Sequence, residues 1–239
     1  FTILVDYDYT VIDFNLTDGN NLVSFYSIPP EDQSIESVFS SLDDNITHIF
    51  GESQLAYHLP NGTWVGSLTE IEQTKGYWLR LNSDDALPVY GLPTGNITYT
   101  IHQGANLISY SYQTSQNIED AIPDSLHQYI WAIFGQNMSV MNVNGNWLGS
   151  LNSFEGGEGY WLISDEQFNF EFTVPDEISM AKENIVAELP KEFEYNQSIA
   201  QSFYFIKDIH LTNSSIEIGD WIVAYNGETV IGARMWNGE

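Results

Sequence analysis

The chain has 239 residues, with 33 acidic and 6 basic side chains, 5 histidines and no cysteine, giving a formal net charge of −27. The lack of Cys excludes disulfides, thiolate zinc sites, iron–sulfur clusters and cysteine nucleophiles. Six Lys/Arg cannot build the basic stripe that nucleic-acid binding or an anionic membrane surface requires. Charged residues make up only 16% against 14% aromatics, so Asn, Ser, Thr and Gln carry the polar surface of a globular, acidic chain suited to an extracellular or saline setting.

In chain order, residues 1–14 read as strands, with Phe1, Ile3 and Val5 alternating and Asp6 and Asp8 on one face. Next comes Asn20-Asn21-Leu22-Val23-Ser24, a β-branched alternating strand. In residues 34–42, Ile35, Val38, Phe39 and Leu42 fall at i, i+3, i+4 and i+7, which predicts one face of a short helix. Two short strands over 47–50 and 55–59 precede an Asn61-Gly62 turn, and Gly76-Tyr77-Trp78-Leu79 reads as a strand. The aromatic pair alternates, so one ring is expected to point inward and the other outward or toward a neighbouring module.

The same blocks then recur. Gly104-Ala105-Asn106-Leu107-Ile108-Ser109 matches residues 19–24, and Ile118-Glu119 matches Ile35-Glu36. Ile133-Phe134-Gly135 matches Ile49-Phe50-Gly51. Asn144-Gly145-Asn146-Trp147-Leu148-Gly149-Ser150-Leu151 matches Asn61-Gly62-Thr63-Trp64-Val65-Gly66-Ser67-Leu68, and Gly159-Tyr160-Trp161-Leu162 matches residues 76–79. The blocks keep one order at a nearly constant offset, which is the signature of an internal duplication. The second helix, expected over 118–126, carries Pro123 and should kink or start late. Residues 97–101 form a lead-in strand to the second copy and residues 168–174 a closing strand. Beyond them lie a linker and a strand-rich tail, in which Trp221 to Ala233 around Asn226-Gly227 reads as a hairpin.

The expected fold class is therefore α+β and predominantly β: two tandem repeats, each with a short helix packed on a small antiparallel sheet, then a β-rich C-terminal unit. The expected division is 1–92 for the first repeat with its lead-in strands, 93–175 for the second, 176–202 for a linker and 203–239 for the C-terminal segment. Both chain ends read as boundaries set by processing or by excision from a longer chain. No basic stretch followed by an apolar run marks a signal peptide, and no apolar run approaches 18 residues, so membrane insertion is not expected.

Reactive groups are not duplicated with the scaffold. His48, His58, His102, His127 and His210 have no H-E-x-x-H spacing, and position 132, the partner of His48, is Ala132. No G-x-S-x-G elbow occurs. Ser67 and Ser150 lie in the duplicated turn and are expected to bond to backbone. Carboxylate pairs such as Asp6/Asp8, Asp43/Asp44, Asp84/Asp85 and Glu155/Glu158 are numerous but single out no cleft. They read as a solvated acidic surface, with loosely held Ca²⁺ as the alternative, and mark no specific metal or cofactor site. Seven Asn-x-Ser/Thr sequons occur, at Asn15, Asn45, Asn61, Asn96, Asn137, Asn196 and Asn213. Trp64 and Trp147, each after an Asn-Gly turn, are the ligand-binding candidates. Exposed, they would stack on sugar rings; otherwise each plugs its own repeat's core.

The blocks Asn-Leu-Val/Ile-Ser, Asn-Gly-x-Trp-x-Gly-Ser-Leu and Gly-Tyr-Trp-Leu resemble a tandem repeat of large secreted surface proteins of marine bacteria, with related copies in structural proteins of marine phages. Residues 219–234 resemble a domain that often follows those repeats, although the chain stops before the Asp/Gly-rich stretch seen in similar sequences. The resemblance implies a non-catalytic structural or adhesive module, extracellular or on a cell or virion surface. Its partners would be other protein subunits or glycans within an oligomeric or multi-domain assembly. A carbohydrate-binding module appended to an enzyme or adhesin is the alternative.

Overall fold

The computed structural model describes residues 9–175, 190–194 and 220–236. The chain divides into two compact units, Phe1–Lys182 and Glu183–Glu239. The fold is mostly β, built from several small antiparallel sheets.

The first unit opens with β1 (Thr10–Leu16), β2 (Gly19–Ser24) and β3 (Ser27–Ile28), then the single helical turn α1 (Ile35–Val38). Next come β4 (Ile46–Gly51), β5 (Gln54–His58), β6 (Trp64–Gly66), β7 (Gly76–Leu81) and β8 (Asp85–Pro93). Strands β2-β7-β4-β5-β6 make one five-stranded sheet, and β1-β8-β3 make a second, smaller one. Between them lies a core that includes Phe14, Phe25, Ile35, Phe39, Leu42 and Tyr77.

The chain continues through β9 (Tyr99–Ile101), β10 (Gly104–Ser109), β11 (Gln116–Asn117), α2 (Ile118–Ala121) and α3 (Asp124–His127). It then forms β12 (Ile130–Phe134), β13 (Ser139–Val143), β14 (Asn146–Gly149), β15 (Ser153–Phe154), β16 (Gly159–Ser164) and β17 (Phe168–Phe170). Strands β10-β16-β12-β13-β14 form the second five-stranded sheet, with the order of the first. The registers also correspond: Leu22 stands opposite Trp78 as Leu107 stands opposite Trp161. An aromatic cluster of Tyr99, Tyr110, Phe154, Phe170 and Phe172 fills its core.

The helices are shorter than their apolar spacing predicts. Ile35, Val38, Phe39 and Leu42 are all buried, but the α-helix ends at Val38 and a 3-10 stretch, Ser40–Asn45, completes the face. Its Ser and Asp side chains favour turns over helix interior, and Asp43 sits at φ 46. The helix expected over 118–126 splits at Pro123. Ile122 is extended (φ −102, ψ 129), because a proline ring clashes with a helical residue before it.

The described part of the second unit includes β18 (Trp221–Asn226) and β19 (Thr229–Met235), paired around Gly227 at φ 63. This is the hairpin expected from the sequence. Residues 1–8, most of the expected linker at 176–202, and residues 203–219 lie outside the described residues, as do Asp6, Asp8, Asn196, His210 and Asn213.

Candidate functional site

Most of the side chains in the matching sequence blocks can be followed to a contact. Asn21 accepts from the Thr17 N–H and donates to the Thr17 carbonyl; Asn106 does the same with His102. Each buried amide thus closes the tight approach to its strand and leaves little to recruit a ligand. The Tyr77 and Tyr160 rings are buried in their own cores. Their hydroxyls accept the N–H of Glu72 and Glu155 at 2.8 and 2.7 Å. Ser67 and Ser150 accept from the N–H of Leu55 and Ser139, as expected for turn serines. Gly66 and Gly149 must be glycine, since a Cβ would fall 2.0 Å from the Leu55 carbonyl oxygen and 2.2 Å from that of Ser139.

The other aromatic of each pair, Trp78 or Trp161, faces the other five-stranded sheet. Leu22, Trp78 and Leu107 form a separate apolar cluster, against which Phe50 and Trp161 pack. Around it the segments of the two five-stranded sheets exchange polar contacts reciprocally. Gln136 Oε1 accepts the Leu22 N–H at 2.7 Å, and Glu52 Oε2 accepts the Leu107 N–H at 2.9 Å. Ser24 donates from its hydroxyl to the Glu158 carbonyl and from its N–H to the Gly157 carbonyl; Ser109 does so to Gln73 and Thr74. Both β2 and β10 are edge strands of their sheets, and an uncovered edge invites wrong pairing. Here each edge is met by residues packed around the other five-stranded sheet.

The sequence-predicted ligand residues lie elsewhere. Trp64 is half-buried against the first core, stacked on His58 at 4.5 Å between ring centroids. Trp147 is half-buried against the second core, edge-on to His127 at 5.4 Å. Both occupy the core side of their outermost strands, while neighbouring Val65 and Leu148 are exposed. The structure does not bring the two tryptophans together.

Among the described residues no group of three or more His, Asp or Glu that could hold a metal ion occurs. Acidic pairs serve turns: Asp84 Oδ1 accepts the Asp18 N–H, and Asp85 Oδ2 accepts from the Asn45 side chain. A small cleft of about 160 Å³ is lined by Thr74, Lys75, Thr100 and Asn106 among others, with no carboxylate or imidazole in its wall.

One constellation at the junction was not anticipated. Glu52 Oε1 meets His102 Nε2 at 2.6 Å, and Lys75 Nζ lies 4.0 Å from Oε2. Its counterpart position holds Gln136. The available signal was the pair Ile-Phe-Gly-Glu and Ile-Phe-Gly-Gln, which keeps an acceptor oxygen while exchanging the charge. The backbone hydrogen bond of His102 with Gln103, and then the Glu52 contact, raise the imidazole above its ordinary 6.5. At the other junction strand, dehydration and then the Glu155 carboxylate push the Glu158 carboxyl up to about 7. Part of Glu158 remains exposed, so water screens much of the effect on stability.

Both shifts act in the same sense. A histidine held protonated by the fold stabilises fully below about 6.5, and that contribution is lost as pH rises through its raised value. A carboxylic acid with a raised value also binds its proton more tightly when folded, so stability falls as pH climbs from about 4.5 to about 7. The thermal midpoint is therefore expected to fall from the acid side of neutrality toward pH of about 8. The double substitution H102Q/E158Q should flatten that slope in calorimetry. An unchanged slope would exclude both groups as its source.

No family model, curated protein or solved structure matches this chain.

Proposed function

We propose that residues 9–175 are two copies of one scaffold module set side by side, and that the chain is a non-catalytic structural or adhesive part of a larger extracellular or virion-surface assembly, as the resemblance implies. The observation that carries this reading is the use of the duplicated side chains. Tyr77/Tyr160, Trp78/Trp161, Asn21/Asn106, Ser24/Ser109 and Gly66/Gly149 are all taken up in packing or backbone bonds. Catalysis would require reacting groups within reach of one another in a cleft. The carbohydrate-binding alternative draws less support, because Trp64 and Trp147 both pack toward their own cores.

The test is location. An antibody raised against the chain should label intact, unpermeabilised cells or particles of its source. Labelling that appears only after permeabilisation would overturn the reading.

A further inference from the structure

The ten strands of the two five-stranded sheets contain no Asp or Glu, although the chain has 33 such residues. This matters on the faces turned away from the cores. In the first sheet the row Leu22–Trp78–Phe50–Leu55 starts buried at the junction of the copies and ends at Leu55, 41% exposed. Beside it run Arg80, His48, Tyr57 and Val65, each opposite the next across the strands. His48 is stacked on Phe50 at 5.5 Å and edge-on to Tyr57 at 4.6 Å. In the second sheet the matching row is Ile163, Ala132, Met141 and Leu148, with Leu148 51% exposed. Solvated strand faces normally alternate to polar residues, and exposed apolar patches mark contact surfaces.

We infer that these two open faces are one interface between chains: the β4–β5–β6 face of one copy of this chain docks on the β12–β13–β14 face of a second copy. Continuity supports this occupant, because the open rows extend the faces that already meet inside the chain through Leu22, Trp78 and Leu107. Charge supports it too. Two chains of net charge −27 repel wherever carboxylates meet, and these faces present none. The pairing is first face to second face. A first face docked on itself would bring two Arg80 guanidinium groups into one interface, whereas the second sheet has Ile163 at that position. Such a head-to-tail contact builds a ring or an open filament instead of an isolated two-fold dimer. The inference rests on the reading of the chain as part of an assembly and names its partner.

The experiment is sedimentation velocity of the full chain, at low ionic strength and at about 1 M NaCl, where screening extends only about 3 Å. The wild-type chain should shift from monomer toward species of twice the monomer mass or more as salt rises. V65E and L148E should each remain monomeric, with thermal midpoints close to wild type because both side chains are exposed. Mixing V65E with L148E should restore one discrete heterodimer, since each variant keeps the face the other has lost. A monomer at every salt concentration would overturn the inference, as would association that survives both substitutions. Association that weakens with salt would instead indicate self-association through ion pairs and equally defeat it. None of these outcomes depends on where antibody finds the chain, so surface labelling can fail or succeed independently.

Discussion

Trp78→Ala is expected to destabilise the first unit by about 3–5 kcal/mol, the range for truncating a buried aromatic side chain. Trp78 is 3% exposed and forms a small cluster with Leu22 and Leu107, one on each side of the junction. Neither main core can collapse into the space, because Tyr77 and Leu79, its neighbours on β7, face the other way into the first core. Urea unfolding should show a lower midpoint. If the halves separate before they melt, the single transition should split in two. A loss below about 1 kcal/mol would mean that the contact between the sheets contributes little.

Gly159→Val should cost at least about 3 kcal/mol, the upper end of ordinary overpacking. A Cβ at Gly159 would lie 2.8 Å from the Val23 carbonyl oxygen and 2.9 Å from Leu22 Cδ1. The first neighbour is backbone, so no rotamer change relieves it. The same holds for Gly76, whose Cβ would lie 2.8 Å from the Ile108 carbonyl oxygen. The substitution pushes β2 away from the segment 157–159 and weakens the Ser24 bonds to Gly157 and Glu158. Urea melts of Gly159→Val and of the uncrowded control Gly232→Val, where nothing stands within 4 Å, should separate crowding at the junction from the general effect of a β-branched residue.

The strands were legible because their signal is local. Asn-Leu-Val/Ile-Ser is β-branched and apolar on both faces, and β2 is almost wholly buried, one side to its core and the other to the second sheet. Tyr77 and Trp78 alternate as adjacent strand residues must, and their division between core and junction follows. Helix length was less legible, since the spacing of Ile35, Val38, Phe39 and Leu42 suits a 3-10 turn after one α-turn as well as a continuous helix. Pro123 correctly marked a break, but its effect fell on Ile122 and divided the segment in two.

The site was harder to read. Which face Trp64 and Trp147 occupy depends on register, and a one-residue shift exchanges every side chain between faces. Composition at those positions cannot supply the register; the pairing of Tyr57 with Val65 and of Met141 with Leu148 does. The contact between Glu52 and His102 spans 50 positions. No periodicity encodes such a meeting, which exists only because β10 lies beside the loop between β4 and β5.

The reciprocal capping of Leu22 by Gln136 and of Leu107 by Glu52 bears on how such chains can change length. Each half donates one acceptor side chain and receives one, so the account between them is closed. Adding a single further unit would leave an unclosed strand and an idle acceptor, whereas adding a couple would not. Growth by twos is the route this geometry leaves open.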